Sequence, residues 1–264
     1  MFDSRRIPCD LLGQNDISNA VWFEDAIRSY GVPTVLFDLH LVVPDIDEAA
    51  AVLRANDWTP EPPSMYSFLA RTPASMFHRL LAPATGEEYD PDAWPPVPPG
   101  EEPPIARVAA VLFPAARWGV AAETLEQAVE NDFVPHLPAL TNALIGSYLD
   151  CPEDPNGGKV QSYLSCQLGY LYDYVPQLKE KTFTEELAFE HRQFHLDCLS
   201  KMRLWTIPFV THERRIRKAI REGGYELREC SADTEETRYL FEDPLAQLHM
   251  ERMAHSSDSW AMGE

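Results

Sequence analysis

Ten consecutive residues, 34–43 (TVLFDLHLVV), restrict the fold of this chain more than any other segment. They are apolar and rich in β-branched residues, and only Asp38 and His40 interrupt them with strongly polar side chains. Such a run predicts a strand of a sheet. Residues two apart on a strand point to the same face. The segment therefore predicts a central strand that carries Asp38 and His40 on one side.

Helices are predicted on both sides of this strand. Residues 16–30 have helical apolar spacing, with Asp16 or Ser18 as the cap and Gly31 after the end. Residues 46–56 form the second predicted helix, and its first turn is acidic, as the helix dipole favours. The unit around the strand is therefore expected to be helix, strand, helix.

Two further strands are predicted at 76–82 and 105–113, on either side of a proline-rich segment. Residues 83–104 contain eight prolines. Because proline lacks a backbone N–H and fixes φ, this segment cannot form a helix or a central strand. An extended loop on the rim of a sheet is expected.

Helical periodicity dominates the chain after Glu123. The predicted helices cover residues 123–131, 136–149, 159–178, 183–205 and 209–222. The apolar face of the helix 183–205 is predicted to contain Leu187, His191, Phe194, Cys198, Leu199, Met202 and Trp205. We therefore predict an α+β protein: a domain with a small mixed sheet over 1–120, a mainly helical domain over 121–250, and a flexible tail over 251–264.

Composition limits the function classes. The formal net charge is −20, so the surface on average repels nucleic acids and anionic membranes and favours neutral or cationic partners. The five cysteines are odd in number and contain no CxxC pair, which favours reduced thiols. The sequence has no secretory signal and no apolar run long enough for a membrane span. We therefore expect a cytoplasmic protein that does not bind membranes.

The residues around the strand resemble a known superfamily. A helix, then Gly31-Val32-Pro33-Thr34, then the strand 36–44 with Asp38 is similar to the core of the nucleotidyltransferase fold, particularly its antitoxin-like and antibiotic-modifying branches. The likeness covers roughly residues 14–115. In that superfamily a helix opened by Gly-Gly or Gly-Ser precedes a strand with Asp-x-Asp, whose carboxylates share divalent metals. The resemblance implies that Asp38 and His40 are catalytic and that Ser18 and Asn19 bind ligand at the place of the glycine pair.

Three departures change the expected chemistry. His40 replaces the second carboxylate and is a poor ligand for Mg²⁺. Ser18-Asn19 replaces the glycine pair, and the strand 105–113 has no acidic residue. We therefore expect a diverged transferase of specialised biosynthesis that acts on an amino-acid-like or other small substrate. Asp38 would serve as base or cation binder, and His40 as acid, base or hydrogen-bond donor.

A structural explanation of this pair remains open. Asp38 and His40 could serve only to satisfy each other's hydrogen bonds on a partly buried strand. The chain would then be a catalytically inactive ligand-binding or regulatory protein. For cofactors, the sequence predicts no metal site, with Mg²⁺ as the one weak candidate.

Two sets of side chains in the helical half are further candidates for ligand binding. His191 and His195 are spaced i, i+4, but no third metal ligand is evident, so they are interior histidines or line a pocket. Tyr170 and Tyr174, with Tyr163, line one edge of the helix 159–178. Such tyrosines either pack between helices or orient a ligand.

The segment 214–221 concentrates five of the 22 basic residues. Arg214, Arg215, Arg217 and Lys218 are candidates for an anion site that binds a nucleotide or tRNA. The alternative is a solvated helix face paired with neighbouring glutamates. A second resemblance is to fungal arginine-containing cyclodipeptide synthases, which use aminoacyl-tRNA. An acidic cleft for arginine and one basic helix for tRNA would suit that activity.

Overall fold

The computed structural model describes residues 4–63, 69, 76–83, 108–152, 155–200, 202, 204–232, 237 and 240. The chain forms two compact units, Met1–Val175 and Pro176–Glu264. The first unit contains the sheet and the helices up to Val175. The predicted α+β class is confirmed.

The first unit contains a five-stranded mixed sheet in the order β1-β2-β5-β4-β3. Its strands are β1 (Ala20–Trp22), β2 (Leu39–Val43), β3 (Thr59–Pro60), β4 (His78–Leu81) and β5 (Ala109–Pro114). The pair β2–β5 is parallel, and the other three pairs are antiparallel. All five residues of β2 are buried, which confirms an interior strand within the predicted segment 34–43.

Residues 34–38 of the predicted strand lie outside β2. Ladder pairing begins at Leu39, opposite Ala110, and β1 pairs only with residues 40–42. Val35 and Phe37 are both 68% exposed, so this stretch neither pairs as a strand nor enters the core of the described structure. The neighbouring strands, rather than the apolar character of the segment, set the length of β2.

The predicted helix 16–30 is wrong in its first half. Residues Ala20–Trp22 form β1, and only Glu24–Ser29 form a helix, α2. Val21 and Trp22 have high strand propensity and fill the place beside β2, so tertiary pairing overrides the helical spacing.

The other helices of the first unit include those predicted at 123–131, 136–149 and 159–178, the last of which begins and ends four residues earlier than predicted. They are α1 (Ile7–Gly13), α3 (Ile46–Ala55), α4 (Ala122–Glu130), α5 (Leu137–Asp150) and α6 (Pro155–Tyr174). Helix α3 confirms the prediction for 46–56, and the Asp45 side chain caps it by accepting from the backbone N–H groups of Asp47 and Glu48. Helix α6 ends before Pro176, which opens a short 3₁₀ helix, Pro176–Lys179.

In the second unit, the predicted helix 183–205 is broken. The structure has α7 (Phe183–Glu186), a 3₁₀ turn (Phe189–His191) and α8 (Arg192–Leu199). At the break, the Arg192 side chain donates to the backbone carbonyls of Glu185 and Leu187, which a continuous helix would use for its own hydrogen bonds. Helix α9 (Ile207–Arg221) agrees with the prediction for 209–222.

Several predicted segments lie outside the described residues: 84–104 of the proline-rich loop, the first three residues of the strand 105–113, and the tail 251–264. Of the helices that the structure describes, none has both the length and the apolar character to cross a bilayer.

The five cysteines are free thiols. Cys9, Cys151 and Cys198 are buried, Cys230 is half-buried and Cys166 on α6 is exposed. Burial raises the pKa of Cys9 to about 12, so this thiol stays protonated and inert.

Candidate functional site

One face of the sheet presents His40 in a row that runs across four strands. Trp22 of β1 is the register partner of His40, His40 is the partner of Val111 on β5, and Val111 is the partner of Arg79 on β4. Side chains that are directly opposite each other share a face of the sheet. Phe113, two residues beyond Val111, lies on the same face, and its ring stacks on the His40 ring at 5.7 Å between centroids.

A buried carboxylate lies next to His40. Glu24, in the first turn of α2, accepts hydrogen bonds from the Tyr163 hydroxyl at 2.5 and 2.7 Å and from the Gln167 amide at 2.9 Å. The Nδ1 atom of His40 is 3.5 Å from Glu24 Oε2. Tyr163 and Gln167 are one turn apart on α6, so both side chains reach the same carboxylate. We call Glu24, His40, Tyr163 and Gln167 the Glu24 cluster.

The charge of Glu24 is set by these neighbours. Burial alone would raise its pKa, but the neighbouring His40 ring and the Tyr163 hydrogen bond outweigh burial and lower the pKa. Burial and the nearby Glu24 charge raise the pKa of Tyr163, so its hydroxyl remains a donor. The cluster therefore holds an ionised carboxylate within reach of an imidazole.

The backbone at Phe23 places Glu24 in this position. Phe23 connects β1 directly to α2 with φ 52° and ψ −122°, a conformation that side-chain-bearing residues rarely adopt. Its ring is fully buried and makes edge contacts with the rings of His40, Tyr163 and Trp118. Such backbone strain costs about 1–3 kcal/mol and persists only where the surroundings enforce it. Here the aromatic packing around Phe23 holds the strained turn.

Two arginines bind Asp38, the residue immediately before β2. Arg79 donates to both oxygens of Asp38, at 2.8 and 3.2 Å, and also pairs with Glu61. Arg5 forms a two-pronged pair with Asp25, at 2.7 Å for each contact, and donates to the Asp38 carbonyl at 3.2 Å. Burial alone would lower the pKa of Arg79, but Asp38 and Glu61 raise it. Both side-chain oxygens of Asp38 therefore bind the guanidinium of Arg79.

The structure brings the two predicted catalytic residues to one region with different partners. Asp38 lies just before β2 and bonds to Arg79, whereas His40 lies within β2 beside Glu24. Ser18 and Asn19 precede β1, and the Asn19 amide donates to the carbonyls of Cys9 and Ile17. The residues that open α2 are Phe23 and Glu24 instead.

The predicted ligand-binding residues of the helical half lie in varied surroundings. Tyr170 and Tyr174 are exposed, with ring centroids 6.4 Å apart. In the second unit, His191 and His195 are buried, and the His195 ring lies against Phe183 at 5.5 Å. Burial lowers the pKa of His195 to about 4, so this side chain is neutral at physiological pH.

Several basic side chains of α9 are buried or in contact with other residues of the protein. Arg217 is buried, Lys218 lies 3.9 Å from Glu222, and Arg221 forms a two-pronged pair with Glu190. The exposed Arg215 lies 3.4 Å from Nδ1 of His212. The helix therefore offers fewer cations to a polyanion than its sequence indicates.

Sequence reasoning missed Glu24, Gln167 and Arg79. The predicted helix 16–30 places Glu24 near its middle, whereas in the structure Glu24 lies just after the end of β1. The spacing of Tyr163 and Gln167 on one helix face was a usable signal, but it does not identify a partner 139 and 143 positions away.

In comparisons with known proteins, the chain matches no protein-family model and no curated protein.

Proposed function

We propose that this chain is a transferase acting on a small, cationic, amino-acid-like substrate, with His40 as the acid–base group and Glu24 as the residue that orients it. The observation that carries the proposal is the Glu24 carboxylate, buried and ionised, 3.5 Å from His40 Nδ1 and fixed by Tyr163 and Gln167. A carboxylate beside an imidazole fixes the orientation of the ring, as general acid–base catalysis requires.

The position of the cluster supports a relationship to the nucleotidyltransferase fold. Helix α2 is followed by the interior strand β2, with Asp38 immediately before that strand and His40 within it. The superfamily pattern named above places its catalytic carboxylates at this point. In this chain, a histidine and a carboxylate from α2 take the place of the carboxylate pair.

Charge supports a cationic substrate. The chain carries a net charge of −20, and Asp38 already binds a guanidinium, that of Arg79, through both oxygens. The negative charge of the chain favours a cationic substrate, such as one that carries a guanidinium group. Arginine is therefore the first substrate to test.

A second candidate function is a ligand-binding protein without catalysis. It is favoured by the internal pairing of the carboxylates around β2: Asp25 with Arg5, Asp38 with Arg79, and Glu24 with Tyr163. Groups satisfied in this way can persist for structural reasons.

A thermal-shift screen with arginine, ATP and CTP tests the proposal, with His40→Gln as the variant and His78→Gln as the matched control. His78 is a sheet residue that contacts Asp47 at the surface, away from Glu24. Arginine at 100 times its dissociation constant should stabilise the wild type by about 2.7 kcal/mol. His78→Gln should retain this stabilisation and His40→Gln should lose most of it. An equal shift in His40→Gln would rule out His40 as a site residue.

Mass spectrometry of reaction mixtures separates the two functions. Arginine incubated with ATP, CTP or aminoacyl-tRNA should give a modified product in the wild type and none in Glu24→Gln. Binding of arginine with no product from any of these donors would favour the ligand-binding protein.

A further inference from the structure

The second unit contains a buried group of metal-ligating side chains. Asp197 comes from α8, and His212 and Glu213 come from α9. One ligand atom from each residue lies within 4.8 Å of the others. All three side chains are buried, with Asp197 at 0% and Glu213 at 1% exposure. Two carboxylates and an imidazole at this depth are uncommon unless they are paired or coordinate a metal.

Asp197 is held in a fixed orientation. Its Oδ1 accepts from the Ser231 backbone N–H at 2.7 Å and from the Gln193 amide at 3.1 Å, and its Oδ2 accepts from the Ser231 hydroxyl at 2.6 Å. Gln193 is itself fixed by the backbone of Arg228, through contacts of 3.0 and 2.8 Å. Hydrogen bonds of this kind orient the ligands of metal sites.

His212 is oriented by the same serine. Its Nε2 lies 2.7 Å from the Ser231 oxygen. Ser231 thus lies between Asp197 and His212, and the ring nitrogen of His212 that carries no proton is the one available to a metal ion. This order differs from a Ser-His-Asp catalytic triad, in which the histidine lies between the serine and the carboxylate. The serine therefore positions two other side chains and is not placed as a nucleophile.

Glu213 provides the second, independent sign of a ligand. Its Oε1 is buried and has no hydrogen-bond partner in the part of the chain that the structure describes. A buried carboxylate oxygen without a partner is costly, and a neighbouring carboxylate increases that cost through like-charge repulsion. A divalent cation between Asp197 and Glu213 removes both penalties.

We propose that Asp197, His212 and Glu213 bind a divalent first-row transition-metal ion, with Zn²⁺ as the first to test. One nitrogen and two carboxylate oxygens form a donor set that suits Zn²⁺ better than Mg²⁺, which prefers oxygen ligands alone. Two ligands that are each about 2.1 Å from one ion lie at most about 4.2 Å apart. The three ligand atoms, which lie within 4.8 Å of one another, must therefore draw together by side-chain rotation to bind one ion. This site goes beyond the proposed function and is independent of it.

Zinc binding by the full-length protein tests this proposal. After treatment with chelator and dialysis, the protein is incubated with Zn²⁺, freed of excess metal by gel filtration and examined by elemental analysis. We expect one zinc per wild-type chain. Glu213→Gln and His212→Gln should each lower the zinc affinity at least tenfold in calorimetric titration. His78→Gln, which alters an exposed His–Asp contact, should leave the stoichiometry unchanged.

Absence of retained zinc, or equal affinity in Glu213→Gln and the wild type, would overturn the proposal. If the variants do not fold, the wild type loaded with Co²⁺ provides the second measurement. Co²⁺ on three protein ligands should give intense visible absorption that added Zn²⁺ abolishes and millimolar Mg²⁺ does not. Only the weak spectrum of hydrated Co²⁺ would equally refute the site.

Discussion

Glu24 in the first unit and Glu213 in the second are both almost fully buried, yet their pKa values move in opposite directions. Burial raises the pKa of each. At Glu24, His40 and Tyr163 reverse that effect, so the pKa is lowered and the group is ionised. At Glu213, the Asp197 carboxylate adds to the effect of burial, so the pKa is raised well above its usual value. The neighbours, rather than burial alone, decide the charge of a buried glutamate.

The same contrast extends to other groups of the two units. In the first unit, Asp25 pairs with Arg5 and Asp38 pairs with Arg79. In the second unit, burial lowers the pKa of His195 and of His212, so these groups favour their neutral forms. The stabilities of the two units should therefore respond differently to substitution and to pH.

The largest effect is expected from Glu24→Ala. Removal of the carboxylate leaves Tyr163, Gln167 and His40 without their shared acceptor, so the free energy of unfolding should fall by about 4 kcal/mol, as for a broken buried pair. Urea denaturation at pH 7 measures this loss. Glu126→Ala, on the exposed face of α4, is the control and should change the free energy by less than about 0.5 kcal/mol. A loss below about 1 kcal/mol for Glu24→Ala would contradict the description of the Glu24 cluster.

The next effect concerns pH and His195. The folded pKa of His195, about 4, lies below the unfolded value of 6.5. Its contribution to the free energy of unfolding is therefore present above pH 6.5 and is lost as pH falls towards 4. The loss amounts to about 3 kcal/mol. His195→Gln should remove this part of the pH dependence, whereas the exposed His136→Gln should not. Denaturation curves at several pH values between 4 and 7 test the difference, and parallel profiles for wild type and His195→Gln would refute it.

Substitution of glutamine at both glutamates tests the central comparison directly. At pH 7 with chelator present, Glu24→Gln should cost about 2 kcal/mol, because the amide cannot accept from every donor around it. Glu213→Gln should lower the free energy of unfolding by less than about 0.5 kcal/mol, because the raised pKa of Glu213 favours its neutral form, which an amide resembles. The stability contributed by Glu213 is present below pH 4.5 and lost as pH rises through the raised folded pKa. An equal loss of free energy of unfolding in Glu24→Gln and Glu213→Gln would contradict the difference between the two glutamates.

A more modest effect is expected from Asp38→Asn. This side chain is 29% exposed, so loss of its pair with Arg79 should cost about 1 kcal/mol, which lowers the melting temperature by a few degrees. Differential scanning calorimetry measures this change. A much larger fall, with ligand binding intact, would make Asp38 a structural residue.

The sequence predicted the elements whose periodicity is undisturbed. Helices α3, α4, α5 and α9 and the strand β2 were all expected from their apolar spacing. The strand β1 was missed because Val21 and Trp22 also fit a helical face, and only pairing with β2 reveals them as a strand. The break after α7 depends on Arg192, whose bonds to two carbonyls leave no trace in the hydrophobic pattern.

The candidate sites were predicted only where their residues are neighbours in the chain. Asp38 and His40 were found because they are two apart on one segment. Glu24 and Tyr163 are 139 positions apart, and no local pattern links them. Asp197 and His212 come from different helices, and the serine that orients them lies in a third segment. Such groupings are products of packing and become visible only in the folded chain.

The exposure of Cys166 gives the chain a nearly unique position for a fluorescent label. It lies on α6, three residues after Tyr163 and next to Gln167, while the other four thiols are buried or half-buried. A maleimide dye should therefore attach first at Cys166, and Cys230→Ser would remove the nearest competitor. The attached dye would lie on α6, whose Tyr163 and Gln167 donate hydrogen bonds to Glu24, so its emission can report the arrival of a substrate in real time.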